Sequence, residues 1–294
     1  MTLGRIKAPK TPEEIVKGVD KLVSLPEVCF LVNDLVNDPN SDIVQIGNVI
    51  SQDPDLTARL LKLVNSSFYA FDKPIDTVSR AILMVGLNEL QHMVWASSAV
   101  ETFHKIPPED ANMAGFWRHS IFCAVVARIL ARECNILHPE RLFVAGLLHD
   151  IGRLLIYLKL PKGFVEVVME EKVSPDTPST QIERDIIGFD HGEVGLALCK
   201  SWGLPQSLSH SIGYHHAPNE SRDFSLEASI VHVANIMAHA LEMGEEENFQ
   251  QSANMEAWEL LNLSESTIKK TLHEAVLQFL EALELLLPGA SQRI

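Results

Sequence analysis

His149-Asp150 lies inside the strongly apolar run LFVAGLLHDIGRLL, residues 142–155. A carboxylate buried among such residues is costly unless a cation or hydrogen-bond donors compensate it. Adjacent helical positions point about 100° apart, so an imidazole and a carboxylate there can converge on one ion between helices. The competing arrangement is an ion pair between Asp150 and a nearby arginine, and the doublet alone does not separate the two. Further donors favour the ion: His119 opens the apolar run IFCAVVARIL, His191 follows Phe189-Asp190, and His215-His216 follow Gly213-Tyr214. Imidazole and carboxylate without thiolate suit one or two divalent transition ions. Iron or manganese is preferred to a structural zinc, and nickel is also compatible. His92, His104, His138, His210 and His273 read as ordinary surface or satisfied core residues.

The elements that must position these residues are all helical. Thr11-Pro12-Glu13-Glu14 offers a cap, a proline at the first helical position and a capping-box glutamate, predicting a helix over 11–24. Val28, Leu31, Val32 and Leu35 recur at helical spacing until Asp38-Pro39, Ser41 can cap a third helix, and Asp53-Pro54 opens a fourth. Asp76 or Thr77 can cap the next, and Gly86 precedes a long helix to about His104. Later helices are expected over 112–132, 139–160, 162–171, 179–187, 192–202, 205–214 and 226–243. The last element places Ile268, Leu272, Val276, Phe279 and Leu283 on one stripe. No stretch alternates with period two between hairpin turns, so the fold class is all-α. Pro107-Pro108 divides a helical half, 1–106, from the histidine-bearing half, 107–244, and 245–294 holds an acidic loop and a closing helix.

Hydrophobic residues at 46% and charged residues at 21% are ordinary for a globular chain of 294 residues, which argues against disorder. The net charge is 24 − 39 = −15, which opposes nonspecific nucleic-acid binding and anionic membrane at long range. Cys29, Cys123, Cys134 and Cys199 form no C-x-x-C pair and read as reduced thiols. The basic start MTLGRIKAPK runs into a charged, proline-containing stretch, unlike a secretory signal, and no uncharged apolar run approaches a membrane span. A soluble, cytoplasmic protein is expected.

In its second half the chain resembles the HD superfamily of metal-dependent phosphohydrolases, whose ordered ligands are a His, a His-Asp doublet, further histidines and a distal Asp. The resemblance implies one ion at His119, His149 and Asp150 and a second at His191, His215 and His216, with Asp150 shared. Paired ions of this kind activate water and stabilise a leaving oxygen. Arg153, in HDIGR, stands where a lysine often follows and would grip phosphate with different reach. The string SIVHVANIMAHA looks like the distal helix, but Asn235 occupies the aspartate position and brings no negative charge. Ala217-Pro218 follows the histidine pair and no G-Y-P signature appears, so the HD-GYP branch is poorly matched.

Leu25-Pro26, Asp38-Pro39, Asp53-Pro54, Asn65-Ser66 and Gly86, in that order, are similar to the landmarks of the HDOD family, bacterial regulatory relatives of the HD enzymes. The similarity spans roughly residues 23–217. It implies an HD-like helical bundle, a role in signal transduction, and a signalling protein partner or a small phosphate-containing ligand. Two functions are expected to compete: a regulatory HDOD protein with a retained His/Asp cluster, and a phosphohydrolase or phosphodiesterase using Asp150 and Arg153. A further reading makes His232, Asn235 and His239 a functional stripe; ordinary amphipathicity explains the same spacing.

Overall fold

The computed structural model describes residues 11–17, 25–66, 69, 71–104, 112–244 and 254–287. Helices α1 (Pro12–Val16), α2 (Glu27–Asn37), α3 (Ile43–Ser51), α4 (Pro54–Val64), α5 (Val78–Val85) and α6 (Leu87–His104) form the first half. The second contains α7 (Met113–Glu133), α8 (Glu140–Leu148), α9 (Ile151–Lys159), α10 (Pro161–Val173), α11 (Ser179–Ile186), α12 (His191–Ser201), α13 (Gln206–Gly213) and α14 (Ser225–Met243). A 3₁₀ turn (Pro218–Phe224) precedes α14, and α15 (Met255–Leu261) and α16 (Glu265–Leu286) follow it. Among the described residues no strand occurs, as the all-α reading requires.

Local chemistry explains most of the boundaries. Thr11 accepts from the Glu14 N–H, and Thr77 from the Arg80 N–H. Asp42 with Gln45 and Asp190 with Glu193 form reciprocal capping boxes. Ser41, expected to cap α3, instead donates back to the Leu35 carbonyl, and Asp42 takes the cap. The closing stripe is also shifted. Ile268 and Leu283 are buried and Phe279 packs edge-on against Phe122 of α7, but Val276 is exposed, while Thr271, Ala275 and Ala282 are buried. Residues 18–24, the Pro107-Pro108 boundary and most of the acidic loop lie outside the described residues.

Helix α7 is the centre of the second half, packed by α8, α14 and α16. Its apolarity is a consequence of that position. The stretches Met113–Glu133 and Pro218–Met243 are long and apolar enough by composition to cross a membrane, yet 72% and 61% of their most apolar windows are buried in the fold. The buried apolar residues of both halves form one cluster, and Trp95 of α6 stacks on Trp202 at 6.2 Å between ring centroids.

The expected helix over 139–160 is broken at the His-Asp doublet: α8 stops at Leu148 and α9 starts at Ile151. Glycines flank the break. A Cβ on Gly146 would sit 2.8 Å from the Ala124 Cα, and one on Gly152 only 2.0 Å from the His191 carbonyl oxygen and 2.9 Å from the Gly195 nitrogen. Thus α8 lies backbone to backbone on α7, and α9 on α12. Gly152→Ala should destabilise the protein by about 3 kcal/mol or more, because the obstructing atoms are main chain. Urea unfolding measures it, and an unchanged midpoint would mean that the contact relaxes without cost.

Candidate metal centre

Three histidines of the cluster, His149, His191 and His215, sit at helix ends, and each is oriented by a hydrogen bond from Nδ1. His149 closes α8, and its Nδ1–H donates to the Gly146 carbonyl at 2.8 Å. His215 follows α13 and donates from Nδ1 to the Ile212 carbonyl at 2.7 Å. His191 is the first residue of α12; its backbone N–H and its Nδ1–H both donate to Glu183 Oε2, at 2.9 and 2.6 Å. With Nδ1 protonated in all three, Nε2 is the atom turned towards Asp150.

The result is a convergence of donors. His191 Nε2 is 3.1 Å from Asp150 Oδ1, 3.4 Å from His215 Nε2 and 3.0 Å from His216 Nε2. His215 Nε2 is 3.6 Å from Asp150 Oδ1. Ring nitrogens with lone pairs aimed at one point repel each other unless a cation stands between them. The donor set, three imidazoles and a carboxylate oxygen, fits a borderline divalent ion. Without one, a proton is the substitute: burial alone would lower the pKa of His191, but Glu183 and Asp150 push it up to about 10. Burial would raise Asp150, yet His149 and His191 hold it well below the usual carboxylate range. Burial, then the neighbouring His215 and His191, keep His216 well below the usual imidazole value.

The other position is less complete. His119, His149 and Asp150 lie close enough to share an ion, and His149 Nε2 is buried with no hydrogen-bond partner among the described residues. His119, however, is engaged on both ring nitrogens, at 2.9 Å to Asn235 Oδ1 and 3.2 Å to Glu242 Oε2. Burial lowers its pKa, and the Glu242 hydrogen bond and the Asp150 charge more than reverse this. His239 stacks on His119 at 4.2 Å between ring centroids. A clamped imidazole and a neutral amide are weaker donors than the set around His191.

Asp150 pairs with His149, His191 and His215, so the alternative arginine pair is not adopted among the described residues. Arg153 binds Glu171 at 2.8 Å and lies 3.9 Å from Glu183. With Arg118, Tyr157 and Phe164 it lines a cleft of about 610 Å³ that reaches His119 and Asp150. A phosphate gripped by Arg153 would therefore compete with Glu171. His232 donates its Nδ1–H to the His215 carbonyl at 2.7 Å, so its ring supports the main chain of the cluster. Sequence reasoning missed Glu183 and Glu242. The first is a carboxylate on the buried side of α11 beside Ile182, and the second lies two turns after Asn235 on the same helix face.

Broken α8–α9 helices carrying a His-Asp doublet, with imidazoles gathered from α7, α12 and the end of α13, define an HD-like all-helical protein. The chain belongs to the HDOD family, whose domain model matches residues 22–218. It is similar to an HDOD domain protein of unknown function from Geobacter sulfurreducens, at 25% identity and a TM-score of 0.73 over 93% of this chain and 98% of that one. A protein from Shewanella amazonensis SB2B, provisionally named a phosphohydrolase, is similar at 25% identity and a TM-score of 0.71, over 92% and 96% of the two chains. An uncharacterized protein of Treponema pallidum (strain Nichols) is 26% identical over 235 residues, 79% of this chain and 45% of that protein. The chain spans less than half the length of the curated relatives it matches.

Cation uptake beside His191 should release about one proton at pH 7, because the imidazolium must surrender its Nε2 proton. Affinity should accordingly rise about tenfold per pH unit up to about pH 10, the value set by Glu183 and Asp150. An indicator dye in weakly buffered solution reads the proton, and uptake without release excludes His191 as a ligand. Glu183→Gln, which removes the charge that orients His191, should weaken cation binding by about 10- to 100-fold in a metal titration. Unchanged affinity would make Glu183 merely a packing residue.

Proposed function

We propose that this chain is a regulatory HDOD signalling protein in which a divalent transition ion, held by Asp150, His191, His215 and His216, fixes the HD-like helices in register. The observation that carries the reading is the unequal pair of positions: ring nitrogens converge on Asp150 beside His191, whereas His119 is clamped by Asn235 and Glu242. An ion at the first position would lack the carboxylate that Asn235 replaces. The cleft beside it takes a small phosphate-containing ligand, whose charge Arg118 and Arg153 would meet, or the N-terminal helices dock a signalling protein. The four free cysteines, Cys29, Cys123, Cys134 and Cys199, suit a reducing cytoplasmic setting.

A second reading, a metal-dependent phosphohydrolase, is favoured by the cations and aromatic rings in the cleft that reaches Asp150. The name of the Shewanella relative points the same way. Bound ions would supply water activation and charge neutralisation. Of the chain's own residues, Asp150 and the histidines would hold them, and Arg153 would orient phosphate after leaving Glu171.

The two readings part at Asn235. Native protein should bind one ion tightly and hydrolyse bis(p-nitrophenyl) phosphate at background rate. Asn235→Asp should tighten the first position by at least about tenfold by adding ligand charge. A paired metal titration and hydrolysis assay tests this. Efficient turnover by the native chain would overturn the regulatory reading, and unchanged first-position affinity in the variant would show that residue 235 is not a ligand position.

A further inference from the structure

A separate group of donor side chains lies where α6 meets the HD-like half. Glu89 and His92 are three residues apart on α6, a Glu-x-x-His spacing that places carboxylate and imidazole on one helix face. His138 comes from the turn before α8, and Glu140 is the first residue of that helix. Donor atoms of Glu89, His138 and Glu140 lie within 4.8 Å of one another. His138 Nδ1 is 3.5 Å from Glu89 Oε1, and His92 Nδ1 is 3.9 Å from Glu89 Oε2.

This group is more than an acidic surface cluster. Glu89 is only 3% exposed, and its Oε2 has no hydrogen-bond partner among the described residues; the same holds for Nδ1 of His92, which is also buried. Buried polar atoms are nearly always satisfied, so two unmet atoms side by side call for a missing partner. A small cavity of about 30 Å³ borders Glu89, His92, Arg128 and Glu140 and is otherwise walled by apolar side chains such as Met93, Val144 and Leu286, with His138 outside its lining. Arg128 offsets part of the negative charge, but two carboxylates face it.

We propose that Glu89, His138 and Glu140 form a second, independent cation site that takes one divalent transition ion, with the buried His92 Nδ1 3.9 Å from the other Glu89 oxygen. Donors about 2.1 Å from a tetrahedral ion stand about 3.4 Å apart, close to the 3.5 Å between His138 and Glu89. Nitrogen and oxygen donors without thiolate suit zinc, cobalt, manganese or ferrous ion. The site would tie α6 to the start of α8, and the far end of α8 carries His149-Asp150. Nine residues at about 1.5 Å each separate the two ends by about 13 Å, so occupancy at the junction bears directly on the helix that presents the doublet.

The test is a cobalt(II) titration of the metal-free full chain, followed by visible absorption and elemental analysis. Asp150→Ala removes the shared donor of the histidine cluster and should still bind one equivalent at the junction. Adding His138→Ala, a replacement at a side chain more than half exposed, should abolish that equivalent without lowering the melting temperature of the metal-free protein. Glu89→Gln in the same background should do the same. Failure of Asp150→Ala to bind cobalt, or binding that survives His138→Ala, overturns the proposal. The histidine cluster is judged separately, by the difference in cobalt bound between native protein and Asp150→Ala.

Discussion

Asp150 is a carboxylate only 7% exposed, set among imidazoles at the junction of two helices. Its negative charge must be balanced locally, since the surrounding core offers little solvation. Much of the second half can be read as the provision for that balance. The carbonyls of Gly146 and Ile212 fix the tautomers of His149 and His215, and Glu183 fixes that of His191. The nitrogens facing Asp150 are therefore selected by main chain and carboxylate partners outside the cluster. Such outer contacts tune a site as much as its direct donors do.

The same constraint governs the backbone. The helix breaks at the doublet after Leu148, and α9 packs on α12 through Gly152. Gly152 permits the contact at the His191 carbonyl, so the residue that brings the helices together also places the His191 imidazole. Gly146 performs the equivalent task against α7. Packing and donor placement are thus set by one short segment, HDIGR with the turn before it.

The helical class and the histidine and aspartate positions were legible because they rest on local signals: caps, prolines, apolar spacing and an ionisable doublet in an apolar run. The break at His149-Asp150 was not, since apolar periodicity continues through it and the close approach of Gly152 to α12 involves residues distant in sequence. Arg153 could be recognised as a cation near the doublet, but its engagement by Glu171 depends on α10 folding back, which spacing does not reveal. The contact of His138 with Glu89 was beyond local reading, because the two stand 49 positions apart. Val276 shows the reverse error, an apolar residue fitted to a stripe that small residues actually complete.

Where each donor sits along its helix divides the cluster mechanically. His119 and Asn235 project from the interiors of α7 and α14, held by unbroken main-chain hydrogen bonding on either side. His149, Asp150, His191, His215 and His216 occupy helix ends or the turns between them. Ends fray at low cost and interiors do not. His119 and Asn235 are therefore placed by their helices, whereas His149, His191 and His215 depend for placement on hydrogen bonds from their rings to the Gly146 carbonyl, Glu183 and the Ile212 carbonyl.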